Sequence, residues 1–134
     1  MRDARGFTLL EVLIAFVIAA LALGVMFEAA VGALRASHTA AQYDEAVARA
    51  RSHLAMATHG GALMPGDWNG DDGGGYHWHL RVAPIASTTA QPAAGAAVSL
   101  VLYSVAVTVT WPDGDHTREV SLVSEQIGQP VNGG

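Results

Sequence analysis

The sequence predicts an α+β protein in which a long N-terminal membrane-spanning helix packs on a small antiparallel β-sheet. Three observations carry this reading. The uncharged run from Val12 to Phe27 follows directly on Arg5-Gly6-Phe7-Thr8-Leu9-Leu10-Glu11. Apolar residues then recur at helical spacing as far as Ala57, and the second half of the chain changes to a period of two.

The first element is the membrane helix. From Phe7 to Phe27 an α-helix rises about 32 Å, which spans a hydrocarbon core. Arg2 and Arg5 precede the run, and a Lys/Arg bias before a first span holds that end in the cytoplasm. Glu11 is the ionisable exception inside the apolar stretch. A charge at the centre of a bilayer costs up to about 3 kcal/mol, so such a residue marks function and calls for a partner. A simpler role is also open to it, because a carboxylate in the first turn favours the positive end of the helix dipole by about 0.3–1 kcal/mol.

The helix is expected to continue beyond the membrane. Ala33, Ala36, Ala40, Tyr43, Val47, Ala50, Leu54 and Ala57 form one stripe, while Arg35, Gln42, Asp44, Glu45, Arg49 and Arg51 occupy the other face. Glu45 and Arg49 have the favourable i, i+4 spacing. No proline interrupts the segment from Phe7 to Met64, and Gly60-Gly61 followed by Pro65-Gly66 supplies the stop. Tyr43, Val47 and Leu54 are the side chains expected to cover the sheet.

Gly66 to Gly75 reads as a loop from its glycine and aspartate content. Asp67, Asn69 and Asp71 match the alternating oxygen ligands that open a calcium loop, but Asp72 replaces the turn glycine and Trp78 the closing glutamate. A solvated turn is the expectation. Three strands follow. Tyr76, Trp78, Leu80 and Val82 alternate with His77, His79 and Arg81, and a loop rich in Ala, Thr and Pro is expected from Ile85 to Ala97. Val101, Tyr103, Val105, Val107, Val109 and Trp111 share one face of the second strand. Pro112-Asp113-Gly114-Asp115 is a turn signal, and the third strand, Thr117 to Ile127, turns Val120 and Leu122 inward.

Composition narrows the function. The chain has 134 residues, a formal charge of −5 and only seven basic residues, a balance that argues against nucleic acid as a partner. It lacks cysteine, so no disulfide supports the small soluble part. His77 and His79 alternate on a strand and could share a metal, yet two ligands are too few for a zinc site. His38, His53, His59 and His116 are scattered and read as surface histidines. No nucleophile motif or phosphate loop accompanies them. The expectation is a protein that is not an enzyme and needs neither cofactor nor metal.

The start Arg5-Gly6-Phe7-Thr8-Leu9-Leu10-Glu11, with the basic leader before the apolar run, resembles the class III signal of type IV pilins and type II secretion pseudopilins. An ordinary secretory signal is cut after its apolar part and loses it. The resemblance implies instead that prepilin peptidase cuts at Gly6-Phe7 and methylates the amine of Phe7, and that Glu11 pairs with the first residue of a neighbouring subunit during assembly. The rest of the chain looks like the minor pseudopilin I family. The features are its small size, the Pro65-Gly66 break, the Tyr76-x-Trp78 strand, and the hairpin from Val105 through Trp111 and Gly114 to Leu122.

That resemblance implies a type IV pilin-like fold with a cleaved leader over residues 1–6, a transmembrane and assembly helix over 7–34 and a small periplasmic α+β part over 35–134. It also implies a place in the inner membrane and near the tip of a pseudopilus. The implied partners are pseudopilins J and K, extending to pseudopilin H and the major pseudopilin, together with prepilin peptidase. A minor type IV pilin shares the N-terminus and stays open as a reading. So does a membrane-anchored or secreted periplasmic binding module, with Trp68, Tyr76 and Trp78 as a ligand patch. Its secreted form would require a signal cut near Ala29-Ala30.

Overall fold

The computed structural model describes residues 6–60 and 62–131. Arg2, Arg5 and Gly61, named above as part of the leader and of the helix stop, lie outside the described residues. The element order is α1 (Leu9–His59), β1 (Gly66–Gly73), β2 (Tyr76–Ala90), β3 (Val98–Asp113) and β4 (His116–Gly128). The fold is the predicted pilin-like α+β arrangement, with a long apolar N-terminal helix and an antiparallel sheet of four strands rather than three. Contacts along the chain define two compact units that adjoin at Ala41 and Gln42.

The first unit holds the N-terminal part of α1. The helix begins where Thr8 caps it: the backbone N–H of Glu11 donates to Thr8 Oγ1 at 3.2 Å, and that of Val12 donates to the Thr8 carbonyl at 3.2 Å. Thr8 and Glu11 thus hold the two positions of a capping box, and the Thr8 hydroxyl satisfies one of the N–H groups that a helix start leaves unpaired. Among the described residues, α1 is the helix long and apolar enough to cross a membrane, and its apolar window is not buried. Leu13, Phe16, Ile18 and Phe27 are between 57% and 72% exposed.

The second unit contains the last turns of α1 and the sheet. The strands pair in chain order, β1-β2-β3-β4. Val105, Val107 and Val109 on β3 are fully buried, each adding about 1.5–3 kcal/mol of apolar transfer. Ala46 and Ala50 of α1 are also 0% exposed, and their small side chains let the helix lie close to Val107, Val109 and Trp111. Tyr43, Leu54, Tyr76, Trp78, Leu80, Val120 and Leu122 surround this cluster. A second cluster joins Leu63, Val82, Val101, Tyr103 and Val105, and Leu54 and Leu80 pack against both.

The helical seam therefore runs through Tyr43, Ala46, Ala50 and Leu54. Val47, expected on the sheet, is only partly covered and belongs to neither cluster. A step of three from Tyr43 brings Ala46 over the flat valine face, where the larger Val47 would hold the helix away.

Two expectations for the sheet need correction. Gly66–Gly73 is an edge strand, paired with β2 from Gly66↔Val82 to Gly73↔Tyr76. The indole of Trp78 explains how so poor a strand former is held. It lies over Gly70, its partner in the register, so closely that a Cβ there would sit 2.8 Å from Nε1. The predicted loop from Ile85 to Ala97 also shortens, because β2 runs to Ala90 with a register shift between Pro84 and Ala86.

Turn chemistry fits the two tight hairpins. Gly74 and Gly75 link β1 to β2 with φ of 63° and 85°, the left-handed pair that a two-residue turn requires. Gly114, with φ of 60°, opens the β3–β4 turn between the paired residues Asp113 and His116, as the sequence predicted.

Candidate assembly site

Gly6, Phe7 and Glu11 lie at the start of α1. Gly6, Phe7 and Thr8 precede the helix and have no regular structure. Phe7 is 83% exposed. A Cβ added at Gly6 would meet nothing within 4 Å, so among the described residues nothing demands glycine there. Any requirement for a small residue at that position comes from outside them.

Glu11 is exposed, on the first turn of the helix. Its backbone is held by Thr8, while its carboxylate makes no ion pair among the described residues. A charge set in an apolar helix calls for a counter-charge.

The second unit has a polar cluster of its own. Asp72, at the tip of β1, accepts from His53 Nε2, which lies 3.0 and 2.9 Å from its two carboxylate oxygens. Arg49 Nη1 donates to the Asp72 carbonyl at 3.0 Å, and its Nε to Glu45 Oε1 at 2.8 Å. The guanidinium carbon of Arg49 stands 4.6 Å from the centre of the Tyr76 ring, and the His53 imidazole stacks on Trp78 at 4.5 Å. His53 is therefore a docking residue and not the surface histidine expected from the sequence. On β4, hydrogen bonding to Tyr43, and then to Asp113, pushes the Arg118 guanidinium pKa up and keeps it charged.

The suggested metal residues do not converge. Asp67, Asn69 and Asp71 lie at alternate positions of an extended strand and cannot wrap an ion as a calcium loop does. His79 Nε2 faces Asp67 Oδ1 at 3.1 Å, and His77 Nδ1 faces Asp71 Oδ2 at 3.7 Å, as separate exposed pairs. Among the described residues no group of three His, Asp or Glu is placed to hold a metal. Trp68, Tyr76 and Trp78 are likewise divided between packing roles. Tyr76 and Trp78 join the helix–sheet core, while Trp68, 41% exposed, rims an open apolar groove of about 480 Å³ with Met56 and Met64.

The sequence reading missed the His53–Asp72 contact and the capping role of Thr8. The spacing Thr8-x-x-Glu11 was a legible sign of the second. Nothing local announces the first, because its partners are nineteen residues apart.

An apolar N-terminal helix with a capped start, followed by a small antiparallel sheet, defines a pilin-like class of protein. In agreement, residues 1–27 match the family described as the prokaryotic N-terminal methylation motif. Over 85 residues the chain is 35% identical to the type II secretion system protein I of Xanthomonas campestris pv. campestris. That alignment covers 63% of this chain and 62% of the relative, somewhat less than two thirds of its length. No solved structure matches the chain.

Proposed function

We propose that this chain is a minor pseudopilin acting near the tip of the type II secretion pseudopilus, where it helps initiate assembly and so the export of folded proteins across the outer membrane. One observation carries the reading. The 85-residue likeness to a type II secretion protein I is far longer than the 27-residue methylation motif, so more than a shared processing signal is common to the two. A minor type IV pilin would share the motif, and a neighbourhood of other pseudopilin genes separates the two systems.

In this proposal prepilin peptidase cuts between Gly6 and Phe7, removes the leader and methylates Phe7. Arg2 and Arg5 hold the leader in the cytoplasm, residues 7–34 span the inner membrane, and the part from residue 35 onward lies in the periplasm. Glu11 then supplies the carboxylate that receives the amine of a neighbouring subunit in the membrane. The role is that of a structural subunit, with pseudopilins J and K as direct partners and no catalysis of its own.

Co-expression of the full chain with pseudopilins J and K, followed by detergent extraction, tests the assignment. The expected result is a complex of defined mass whose melting temperature exceeds that of the chain alone. A partner at a hundred times its dissociation constant stabilises by about 2.7 kcal/mol through mass action. No complex with either partner, and unchanged melting at saturating concentrations, would remove the tip role.

A further inference from the structure

The two edges of the sheet are not alike. Strand β1 is short, carries Gly66, Gly70 and Gly73, bears acidic side chains at Asp67, Asp71 and Asp72, and is interrupted by a register shift between Asp71 and Gly73. These are the usual devices by which a sheet edge is kept from pairing. Strand β4 carries charge at Arg118, Glu119 and Glu125, but it is longer, has glycine only at its last position, Gly128, and has no register shift. It runs for 13 residues in unbroken register with β3, from Asp113↔His116 to Val101↔Gly128, and holds neither proline nor lysine. Among the described residues no strand pairs with its other side. Every second residue of an edge strand turns its N–H and C=O away from the sheet, so β4 offers a regular row of unmet hydrogen-bonding groups.

The side chains beside this row specify what would fit. On the face away from the core, β4 presents Glu119, Ser121, Val123, Glu125 and Ile127. Val123 and Ile127 are 66% and 71% exposed, unusual for branched apolar residues on a regular solvent-facing strand. Neither Glu119 nor Glu125 makes a salt bridge among the described residues, although each lies within eight residues of Arg118, which is committed to Asp113. Opposite charges and apolar pairs directly across two strands are favourable, and like charges are not.

We infer that the free edge of β4 binds an extended strand of a basic partner polypeptide, which adds a fifth strand to the sheet. In an antiparallel arrangement that strand carries apolar residues across from Ile127 and Val123 and cations across from Glu125 and Glu119. A second copy of this chain fits less well. Its formal charge is also −5, it has no lysine, and a pairing centred on Leu122 would set Glu119 against Glu125. The inference does not depend on which secretion or pilus system the chain serves.

The test uses the full chain in detergent micelles and a synthetic peptide with valine, lysine, valine, serine and lysine at alternate positions and threonine between them. A control peptide replaces both lysines with glutamate. The expected result is saturable binding of the lysine peptide, about tenfold tighter than the control, with slowed amide exchange at alternate residues between Glu119 and Glu125. The double variant Glu119→Lys, Glu125→Lys, altered only on the solvent face, should reverse the preference. Val123→Lys should weaken the lysine peptide by about tenfold or more. Equal binding of both peptides, protection at β1 instead of β4, or self-association of the chain through β4 would each overturn the proposal. The wild-type exchange pattern decides it even if a variant fails to fold.

Discussion

His53 and Asp72 fasten the end of the helix to the tip of the first hairpin: a single ring nitrogen, Nε2, lies 3.0 and 2.9 Å from the two carboxylate oxygens, while the ring face stacks on Trp78. Both side chains are mostly shielded, at 14% and 18% exposure, so water competes little for the contact. It ties α1 to the strand that follows it, across nineteen residues, and it positions the indole that covers Gly70.

Replacing His53 with alanine should therefore destabilise the second unit by about 1–3 kcal/mol, the range for a hydrogen bond to a charged group whose partner is left shielded. A urea titration of the full chain in micelles should show a lower midpoint, accompanied by a red shift of tryptophan emission as Trp78 loses its cover. An unchanged midpoint would mean that the hairpin is held without this contact.

Ala50→Leu should cost about 1–3 kcal/mol, because Ala50 is fully buried against the valine face and extra methyl groups force the helix outward. Val47→Ala, one turn away, should change stability by less than about 0.5 kcal/mol. Equal effects at the two positions, measured by thermal melting, would contradict the observed seam.

Gly70→Ala should lower stability by about 1–2 kcal/mol even though alanine is the better residue for most backbones. Its Cβ would lie 2.8–2.9 Å from three atoms of the Trp78 indole, which would have to leave both Gly70 and His53. Loss of the ring-stacking signature in NMR chemical shifts at His53 is the direct readout.

Gly6→Val should leave the chain as an uncut precursor when expressed with prepilin peptidase, with no change in the melting of its second unit. Intact-mass measurement of the membrane-extracted protein distinguishes the two forms. A mature chain beginning at Phe7 in that variant, or at Ala30 or later in the wild type, would refute the proposed processing.

Glu11→Val should preserve the fold, because the carboxylate is remote in sequence from every core residue and makes no ion pair among the described residues. Recovery of partner pseudopilins with the tagged chain should fall. Undiminished recovery and secretion at native expression would remove the pairing role.

The parts of this fold that the sequence disclosed were those with long, regular patterns. The 51-residue helix followed from an unbroken apolar run and the absence of proline, and β3 from the alternation of Val105, Val107 and Val109. Strand β1 was hidden, because glycine and aspartate have poor strand propensity and the strand is held by a tryptophan eight residues further on. The substitution of Ala46 for Val47 in the seam shows the same limit at finer scale. Spacing indicates that a helix has an inner face, but closeness of approach decides which residue at its margin is covered. At the candidate site, Gly6, Phe7 and Glu11 were legible as a motif, whereas His53 acquires its role only through a partner that folding brings to it.

The strand order β1-β2-β3-β4 repeats the order of the chain. A sheet of this kind needs no segment to wait for a distant one, since each strand finds its neighbour already made as the polypeptide emerges. Contacts close in sequence favour rapid folding, and domains form progressively during synthesis. A chain that folds as it is synthesised thus builds its sheet step by step, leaving β4 as the last strand to join and the one whose outer side stays open.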